Sequence, residues 1–183
     1  MKATGVPAIA GAHLFEPTLH SDERGFFCRT FDADVVRSAG LDPDAFVQDS
    51  VSRSARGVLR GLHLRSGAGE AKLVRCSYGR IFDVVVDLRA DSPTYLGRVF
   101  LELSGDAQTT LYIPAGCAHG FQTLTATADV SYRIDRRHDP AEDVTIAFDD
   151  PELAIPWPLP ALSTSPRDRE APSLAEVLRR REK

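Results

Sequence analysis

Cationic and titratable side chains crowd into one stretch of the sequence, between two segments that are typical of β-strands. The stretch holds two arginines and a histidine, and Lys72 follows in the next such segment: Arg56-Gly57-Val58-Leu59-Arg60-Gly61-Leu62-His63. Its glycines let the backbone approach a neighbour closely, and the small residues at 66–69 leave the His63 ring uncovered. Such a set of groups predicts a site that binds an anion and moves a proton.

Short strand-like segments carry these residues. Alternating apolar and polar residues recur in short runs that are separated by turn residues. The predicted strands cover residues 48–54, 58–64, 71–77, 81–88, 97–103, 109–113, 119–123, 127–134 and 143–148. Because no helical period lies between these strands, the sequence predicts an all-β jelly roll, built as an antiparallel sandwich or barrel.

One helix is predicted before the barrel. Asp32 or Asp34 can serve as its N-cap, and Gly40 is suited to its C-terminal end. The predicted barrel core then occupies about residues 45–150. The chain is long enough to bury a core of its own, and we interpret residues 1–183 as one domain.

The segment 151–183 differs in character from the barrel. It begins with a proline-rich run that predicts an irregular wrap, with Trp157 packed on the outside of the barrel. Ser173 then precedes apolar residues at helical spacing, and its hydroxyl can cap a helix. We therefore expect a C-terminal helix.

Charge and cysteine content exclude several classes of protein. The net charge of −4 argues against a nucleic-acid binder, because a domain that grips phosphate backbones is usually basic. The three cysteines, Cys28, Cys76 and Cys117, are odd in number and lack CxxC spacing, which favours a reduced, cytoplasmic setting. No apolar run approaches the roughly 18 residues of a membrane span, and no secretory segment begins the sequence. We expect a cytoplasmic protein without membrane attachment.

Two patterns are similar to the conserved motifs of cupins. The run Pro114-Ala115-Gly116-Cys117-Ala118-His119 matches the Pro-x-Gly-x-x-His of the second motif, and Tyr78-Gly79 stands where the first motif ends. Metal-binding cupins also carry a His-x-His pair and a glutamate in the first motif. A metal needs three or four convergent ligands, and this sequence offers at most His63 and His119. The sequence therefore favours chemistry without a metal or another cofactor.

Further matches in a common order run through nearly the whole chain, at residues 22–27, 56–63, 71–75, 82–89, 91–95, 112–121, 150–155 and 157–158. Through these segments the chain resembles the dTDP-4-dehydrorhamnose 3,5-epimerase family. Its members are cofactor-free cupins that epimerise nucleotide-linked 4-keto-6-deoxy sugars in deoxysugar biosynthesis. The resemblance implies a nucleotide-diphosphate sugar as substrate and a homodimer. Open sheet edges and a strand-like N-terminal segment also favour a dimer.

The chemistry of such an epimerase fits the residues. A hydrogen next to a ketone is lost only as an enolate forms, so the enzyme needs a base on one face, an acid on the other, and positive charge at the ketone oxygen. The resemblance implies His63 as the base and Asp168 as the carboxylate that orients it. It also implies Lys72 at the oxyanion on C4 and Tyr132 as the acid.

The resemblance further implies a set of residues that contact the diphosphate, sugar and base: Arg24, Gln48, Arg60, His119 and Arg167. Four more positions depart from the family pattern, since Arg29 replaces a glutamate, Ser50 an asparagine, His138 a stacking tyrosine and Asp143 a longer glutamate. A histidine can still stack on a base, over a smaller area. The departures concern base recognition, so dTDP is the first choice and another nucleotide is the alternative.

Several alternatives stay open at this level. The chain could be an epimerase that acts at C3 only or C5 only on a different sugar nucleotide, a non-catalytic cupin that binds one, or a metal-dependent cupin isomerase or dioxygenase. Each candidate also has a structural interpretation: His63 as a core histidine, Lys72 in an ion pair, Tyr132 as a core aromatic. Asp83 either contacts the His63 region or forms a structural salt bridge.

Overall fold

Two antiparallel sheets face each other in this protein, whose computed structural model describes residues 1–181. The strands are β1 Lys2–Gly5, β2 His13–Glu16, β3 His20–Asp22, β4 Gly25–Phe27, β5 Gln48–Ala55, β6 Leu59–Arg65, β7 Lys72–Tyr78, β8 Arg80–Asp87, β9 Arg98–Ser104, β10 Thr110–Ile113, β11 Cys117–Thr123, β12 Thr127–Ile134 and β13 Asp143–Thr145. The α-helices are α1 Ala33–Ser38, α2 Pro166–Arg169 and α3 Leu174–Arg181, and short 3₁₀ turns cover Pro43–Ala45 and Pro140–Glu142. The predicted all-β jelly roll is confirmed.

The two large sheets interleave strands that are distant in sequence. One sheet has the order β1-β2-β10-β7-β12-β5, and the other has the order β13-β6-β11-β8-β9. Strands β3 and β4 form a separate hairpin. Because β1 and β2 join the first sheet, that sheet begins well before the predicted barrel core of residues 45–150.

Strand β8 of the five-stranded sheet is almost continuously apolar, and its packing explains why. Its Ile81 and Val85 pack into the core between the two sheets. Its Val84 and Val86 belong to a second cluster on the opposite face of the sheet. A strand that is covered on both faces reads as an apolar run and does not alternate.

The segment after residue 150 covers that outer face. Leu153, Leu174 and Val177 are buried in the second cluster, and Trp157 packs at its edge. The Trp157 indole donates a hydrogen bond to the carbonyl of Phe148 at 2.8 Å and meets Phe82 edge-on. The prediction that Trp157 packs outside the barrel is confirmed. Each buried side chain of this size stabilises the fold by about 1.5–3 kcal/mol, so the wrap is firmly attached.

Side-chain caps fix the helix starts. The Asp32 carboxylate accepts from the amides of Asp34 and Val35 at the start of α1. At the start of α3, Ser173 and Glu176 exchange hydrogen bonds in a capping box. The helices predicted after Asp32 and Ser173 are therefore confirmed, and the last two residues of the predicted C-terminal segment, 182 and 183, lie outside the described residues.

Among residues 1–181, no helix is both long and apolar enough to span a membrane. Cys28, Cys76 and Cys117 are all free thiols, and Cys76 and Cys117 are buried.

Candidate active site

A cavity of about 290 Å³ opens between the two sheets. Strands of the five-stranded sheet, with α2, form one wall, and strands β5, β7 and β12 of the other sheet form the opposite wall. The cavity is lined by Ser52, Arg60, His63, Leu64, Arg65, Glu70, Lys72, His119, Phe121, Tyr132, Ile134, His138, Asp143 and Arg167. Eight of the residues predicted from the sequence meet here around one space: Arg60, His63, Lys72, His119, Tyr132, His138, Asp143 and Arg167.

Two glycines bring β6 and β11 close together at this cavity. Gly61 has a φ of +127°, and a Cβ at this residue would lie 2.6 Å from the Cα of Gly120. The pairing shifts register between His119 and Phe121, next to this contact. Such a bulge redirects side chains, and here it brings Arg60 to the same cavity as His63.

His63 forms a hydrogen-bonded pair with Asp168. The distance from His63 Nε2 to Asp168 Oδ1 is 2.6 Å, and the Gly61 amide donates to Asp168 Oδ2 at 3.3 Å. Asp168 is 2% exposed. Burial alone raises the pKa of this carboxyl, but the hydrogen bond and charge of His63, with the Gly61 and Ser165 hydrogen bonds, hold the pKa below its usual value. Asp168 is therefore ionised, and it leaves His63 Nδ1 as the nitrogen available to a ligand.

A second histidine–aspartate pair lies beside the first. His119 is the register partner of His63 on the neighbouring strand. Its Nε2 lies 2.9 Å from Asp83 Oδ2, and both side chains are buried. Asp83 Oδ1 has no hydrogen-bond partner within residues 1–181. Asp83 thus contacts the neighbour of His63, and His63 itself has Asp168.

Tyr132 lines the opposite wall, on β12. Its hydroxyl lies 3.4 Å from Ser52 Oγ, and its ring meets the His119 ring edge-on at 6.3 Å. Burial raises the pKa of this phenol well above its usual value, and the Ser52 hydrogen bond opposes the effect only in part. The phenol therefore keeps its proton at neutral pH and can donate it.

Lys72 also belongs to this wall and contacts a carboxylate that the sequence did not single out. Its ammonium lies 3.2 Å from Glu70 Oε1, and Arg65 Nε donates to Glu70 Oε2 at 3.0 Å. Arg65 also contacts Asp143 and His138. The sequence signal that could have found Glu70 was its spacing of two residues from Lys72, because side chains two apart in an extended segment point to the same side.

Four predicted substrate-binding residues do not line this cavity. Arg24 is exposed and pairs with Asp22, and Arg29 pairs with Asp32. Gln48 begins β5, while Ser50 lines a neighbouring cavity of about 390 Å³ that Tyr132 also borders. Within one chain, the structure therefore brings together the candidate proton-transfer residues, but not these four.

Clusters of three or more His, Cys, Asp or Glu side chains that could hold a metal ion do not occur within residues 1–181. The cavity instead gathers basic groups, with Arg60, Arg65, Lys72 and Arg167 in its lining. Such a lining suits an anionic ligand.

The two walls carry complementary chemistry. A histidine oriented by an ionised aspartate lines one wall, and a protonated phenol and an ammonium line the other. A substrate ring held between them has a base on one face and an acid on the other, which is the arrangement that inversion of a carbon next to a ketone requires. Fold and cavity together define a jelly-roll isomerase of the epimerase type.

Comparisons with known proteins agree with this class. The family model for dTDP-4-dehydrorhamnose 3,5-epimerase matches residues 7–176. The dTDP-4-dehydrorhamnose 3,5-epimerase of Pseudomonas aeruginosa is 44% identical over 178 residues, which cover 97% of this chain and 98% of that protein. The chain thus belongs to the dTDP-4-dehydrorhamnose 3,5-epimerase family, and it is an isomerase of deoxysugar biosynthesis.

Solved structures share the fold along nearly the whole chain. The epimerase RmlC from Legionella pneumophila, in complex with dTDP-4-keto-L-rhamnose, has a TM-score of 0.88 and 41% identity, covering 95% of this chain and 93% of that one. NovW, a 4-keto-6-deoxy sugar epimerase from the novobiocin gene cluster of Streptomyces spheroides, has a TM-score of 0.93 and 36% identity, covering 98% and 90%.

Proposed function

We propose that this enzyme inverts C3, C5 or both in a nucleotide-diphosphate-linked 4-keto-6-deoxyhexose, with the dTDP-linked 4-keto-6-deoxyglucose as the first choice of substrate. The observation that carries this proposal is the placement of His63 and Tyr132 on opposite walls of one cavity. Names of the relatives, which include enzymes of rhamnose and antibiotic biosynthesis, support the substrate class.

His63 removes the hydrogen next to the ketone. Asp168 accepts a hydrogen bond from Nε2, so the lone pair on Nδ1 faces the substrate. As His63 becomes a cation, the adjacent carboxylate stabilises it. Asp168 is buried and does not need to take up the proton itself.

Lys72 and Tyr132 complete the reaction from the other wall. Loss of the proton places negative charge on the C4 oxygen, and the Lys72 ammonium stabilises that charge. Tyr132 then returns a proton to the opposite face of the carbon, which inverts it. If only one carbon reaches both groups, inversion is confined to C3 or to C5.

The rest of the lining holds the substrate. Arg60 and Arg167 provide the positive charge that a diphosphate requires, and His119, which lines the same cavity, contacts the sugar. His138, fixed by Arg65, offers a ring to the base. We further propose a homodimer in which the partner brings Arg24 and Arg29 to the substrate, while Gln48 and Ser50 of the same chain as Tyr132 contact its margin. Exposure of the hairpin that bears Arg24 supports this arrangement.

A solvent-exchange assay tests the proposed function. The enzyme is incubated in D₂O with the dTDP, UDP and GDP forms of the 4-keto-6-deoxy sugar, and deuterium at C3 and C5 is measured by NMR. We expect deuterium at one or both carbons and inversion with the dTDP form. Binding without exchange in every form would favour a non-catalytic binder, and label at one carbon alone would favour a mono-epimerase. Chelator treatment is expected to leave the rate unchanged, since we propose that the reaction needs no metal or cofactor.

We also propose a reduced cytoplasmic setting, which suits the free cysteines.

A further inference from the structure

A row of alternating charges runs along the cavity from Lys72. Lys72 contacts Glu70 at 3.2 Å, and Glu70 accepts from Arg65 at 3.0 Å. Arg65 in turn contacts Asp143, and Asp143 accepts from Arg167 at 2.6 Å. These five residues all line the same cavity, and they come from β6, β7 and its approach, β13 and α2.

The Lys72 end of this row is the most buried. The side chains of Lys72 and Glu70 are 9% and 7% exposed, and that of Arg65 is 11% exposed. Charges so far from water are stable only when they are paired. Burial alone raises the pKa of Glu70, but the charge of Lys72 and the hydrogen bonds of Arg65 and Lys72 outweigh it and lower the pKa. Glu70 is thus an anion that compensates two cations.

Strand pairing fixes the backbone of Lys72, but it does not fix the position of the ammonium. Lys72 pairs with Ile113 of β10 on one side and with Ile134 of β12 on the other. The four-carbon stem of a lysine still has several rotatable bonds, and an ammonium has three donors. Glu70 accepts one donor and leaves two for a ligand.

We propose that Glu70 is a positioning residue for the reaction: its carboxylate holds the Lys72 ammonium in place and keeps it charged, so that the ammonium meets the oxyanion of the enolate. This inference rests on the proposed function, in which Lys72 stabilises that oxyanion. Glu70 itself does not touch the reacting atoms. It acts through Lys72, and Arg65 holds its second oxygen.

Other titratable groups surround the pair. Asp135 lies close enough to Glu70 for its pKa to be raised, chiefly by burial and in part by the Glu70 charge, and it accepts from the Ala71 amide. Burial raises the pKa of the Cys117 thiol on β11 to about 12, although the charges of Arg89 and Lys72 oppose the shift, so the thiol stays neutral. Arg136 donates to the Gly69 carbonyl on the approach to β7. Glu70 is therefore the carboxylate in direct contact with Lys72 in the described part of the chain.

The test begins with the charge state of Lys72, which can be measured without any substrate. The chain has only three lysines, Lys2, Lys72 and Lys183, so lysine labelled with ¹³C at Cε gives a resolvable NMR titration. Glu70→Gln keeps the shape of the side chain and removes its charge. We expect Lys72 of Glu70→Gln to lose its ammonium charge at a lower pH than Lys72 of the wild type, because a buried ammonium loses its compensating anion. An unchanged titration would overturn the inference.

Kinetics then test the consequence. In Glu70→Gln the alkaline limb of the kcat/KM profile should move to lower pH by about the same amount, and kcat at neutral pH should fall roughly tenfold with little change in KM. If Glu70 acted only by attracting or repelling the substrate, Glu70→Gln would instead change KM and leave kcat unchanged. That result would contradict the proposal.

Two further variants keep the test decisive. Glu142→Gln removes a carboxylate of the same type, paired with Arg136 at 3.1 Å outside the cavity lining, and should leave the Lys72 titration and the kinetics unchanged. Glu70→Asp keeps the charge, and we expect it to restore most of the Lys72 pKa with an intermediate kcat. If the titration shifts as expected while Lys72→Met retains full activity, the pairing stands and the role of Lys72 in the proposed function fails.

Discussion

His63 and Tyr132 divide the proposed reaction between two side chains, and each half can be removed separately. In His63→Asn we expect loss of substrate hydrogen exchange with solvent, because an asparagine side chain cannot take up the proton that the proposed base removes. In Tyr132→Phe exchange should continue while inversion slows by about 10²–10⁴-fold, the usual contribution of a positioned acid. Asp168→Asn should fall between the two, since the imidazole remains but loses its charged partner.

Exchange and inversion have to be measured on one sample of each variant. Wild-type exchange in His63→Asn would show that another group is the base. Normal inversion in Tyr132→Phe would show that a different donor returns the proton. Ser52→Ala is a useful control, because it removes the hydroxyl that lies 3.4 Å from the Tyr132 hydroxyl and leaves the phenol itself in place.

The sequence predicted which residue types share the cavity better than it predicted their partners. His63, Lys72 and His119 stand in motifs whose order along the chain is visible. Pairings such as His119 with Asp83 depend on strand register, which no local pattern specifies. The Arg65–Asp143 contact joins residues far apart in the sequence and likewise appears only in the fold.

At the scale of elements, the close approach of β6 and β11 determines where His63 and His119 lie. Gly61→Ala should lower the free energy of unfolding by about 2–4 kcal/mol, because its Cβ would overlap the Gly120 backbone and its φ of +127° strains any other residue. Denaturant unfolding measures this change. Gly5→Ala in β1 is the matched control, since a Cβ there meets nothing within 4 Å. Equal stability of the two variants would contradict the importance of this approach.

The buried carboxyl of Asp87, at the end of β8, should make the free energy of unfolding depend on pH. Burial raises the pKa of this carboxyl, but hydrogen bonds from Arg89, Ser92 and Thr94 outweigh it and lower the pKa to about 2. Because the folded pKa lies below the unfolded one, the stabilisation is complete above about pH 5 and is lost as the pH falls through 4 towards 2. Asp87→Asn should therefore cost about 2 kcal/mol at pH 7.

Urea unfolding of wild type and Asp87→Asn at several pH values checks this expectation. The difference in unfolding free energy should shrink to about half at pH 3. A difference that stays constant between pH 3 and pH 7 would mean that the network around Asp87 stabilises by packing alone.

Element boundaries followed largely from local signals, and sheet membership did not. The alternation in residues 127–134 predicted the bounds of β12, and Asp32 predicted the start of α1. The segment up to Phe15 was strand-like, but it gave no sign that β2 would pair with β10, since the partner residues lie 95 to 99 positions further along.

At the scale of the whole molecule, the β3–β4 hairpin is the surface that we expect a second copy to cover. Phe26 and Phe27 are exposed, Phe27 to 72%. Exposed aromatic side chains at this density are typical of interaction surfaces. We expect a dimer in sedimentation at micromolar concentration, and a shift towards monomer in Phe27→Ser. Leu162→Ser is the control, because Leu162 is equally exposed, at 71%, on another surface. A monomeric wild type would contradict the dimer.

The wrap that covers the five-stranded sheet also determines when a chain under synthesis completes the His63–Asp168 pair. His63 and Asp168 are separated by 105 positions, and α2 brings the carboxylate to the site only when the segment after residue 150 lies on the barrel. During synthesis on the ribosome, a nascent chain can already have the strands of both cavity walls while its imidazole still lacks the aspartate. We therefore expect the proposed proton abstraction to reach its full rate only after α2 has been made and lies on the barrel.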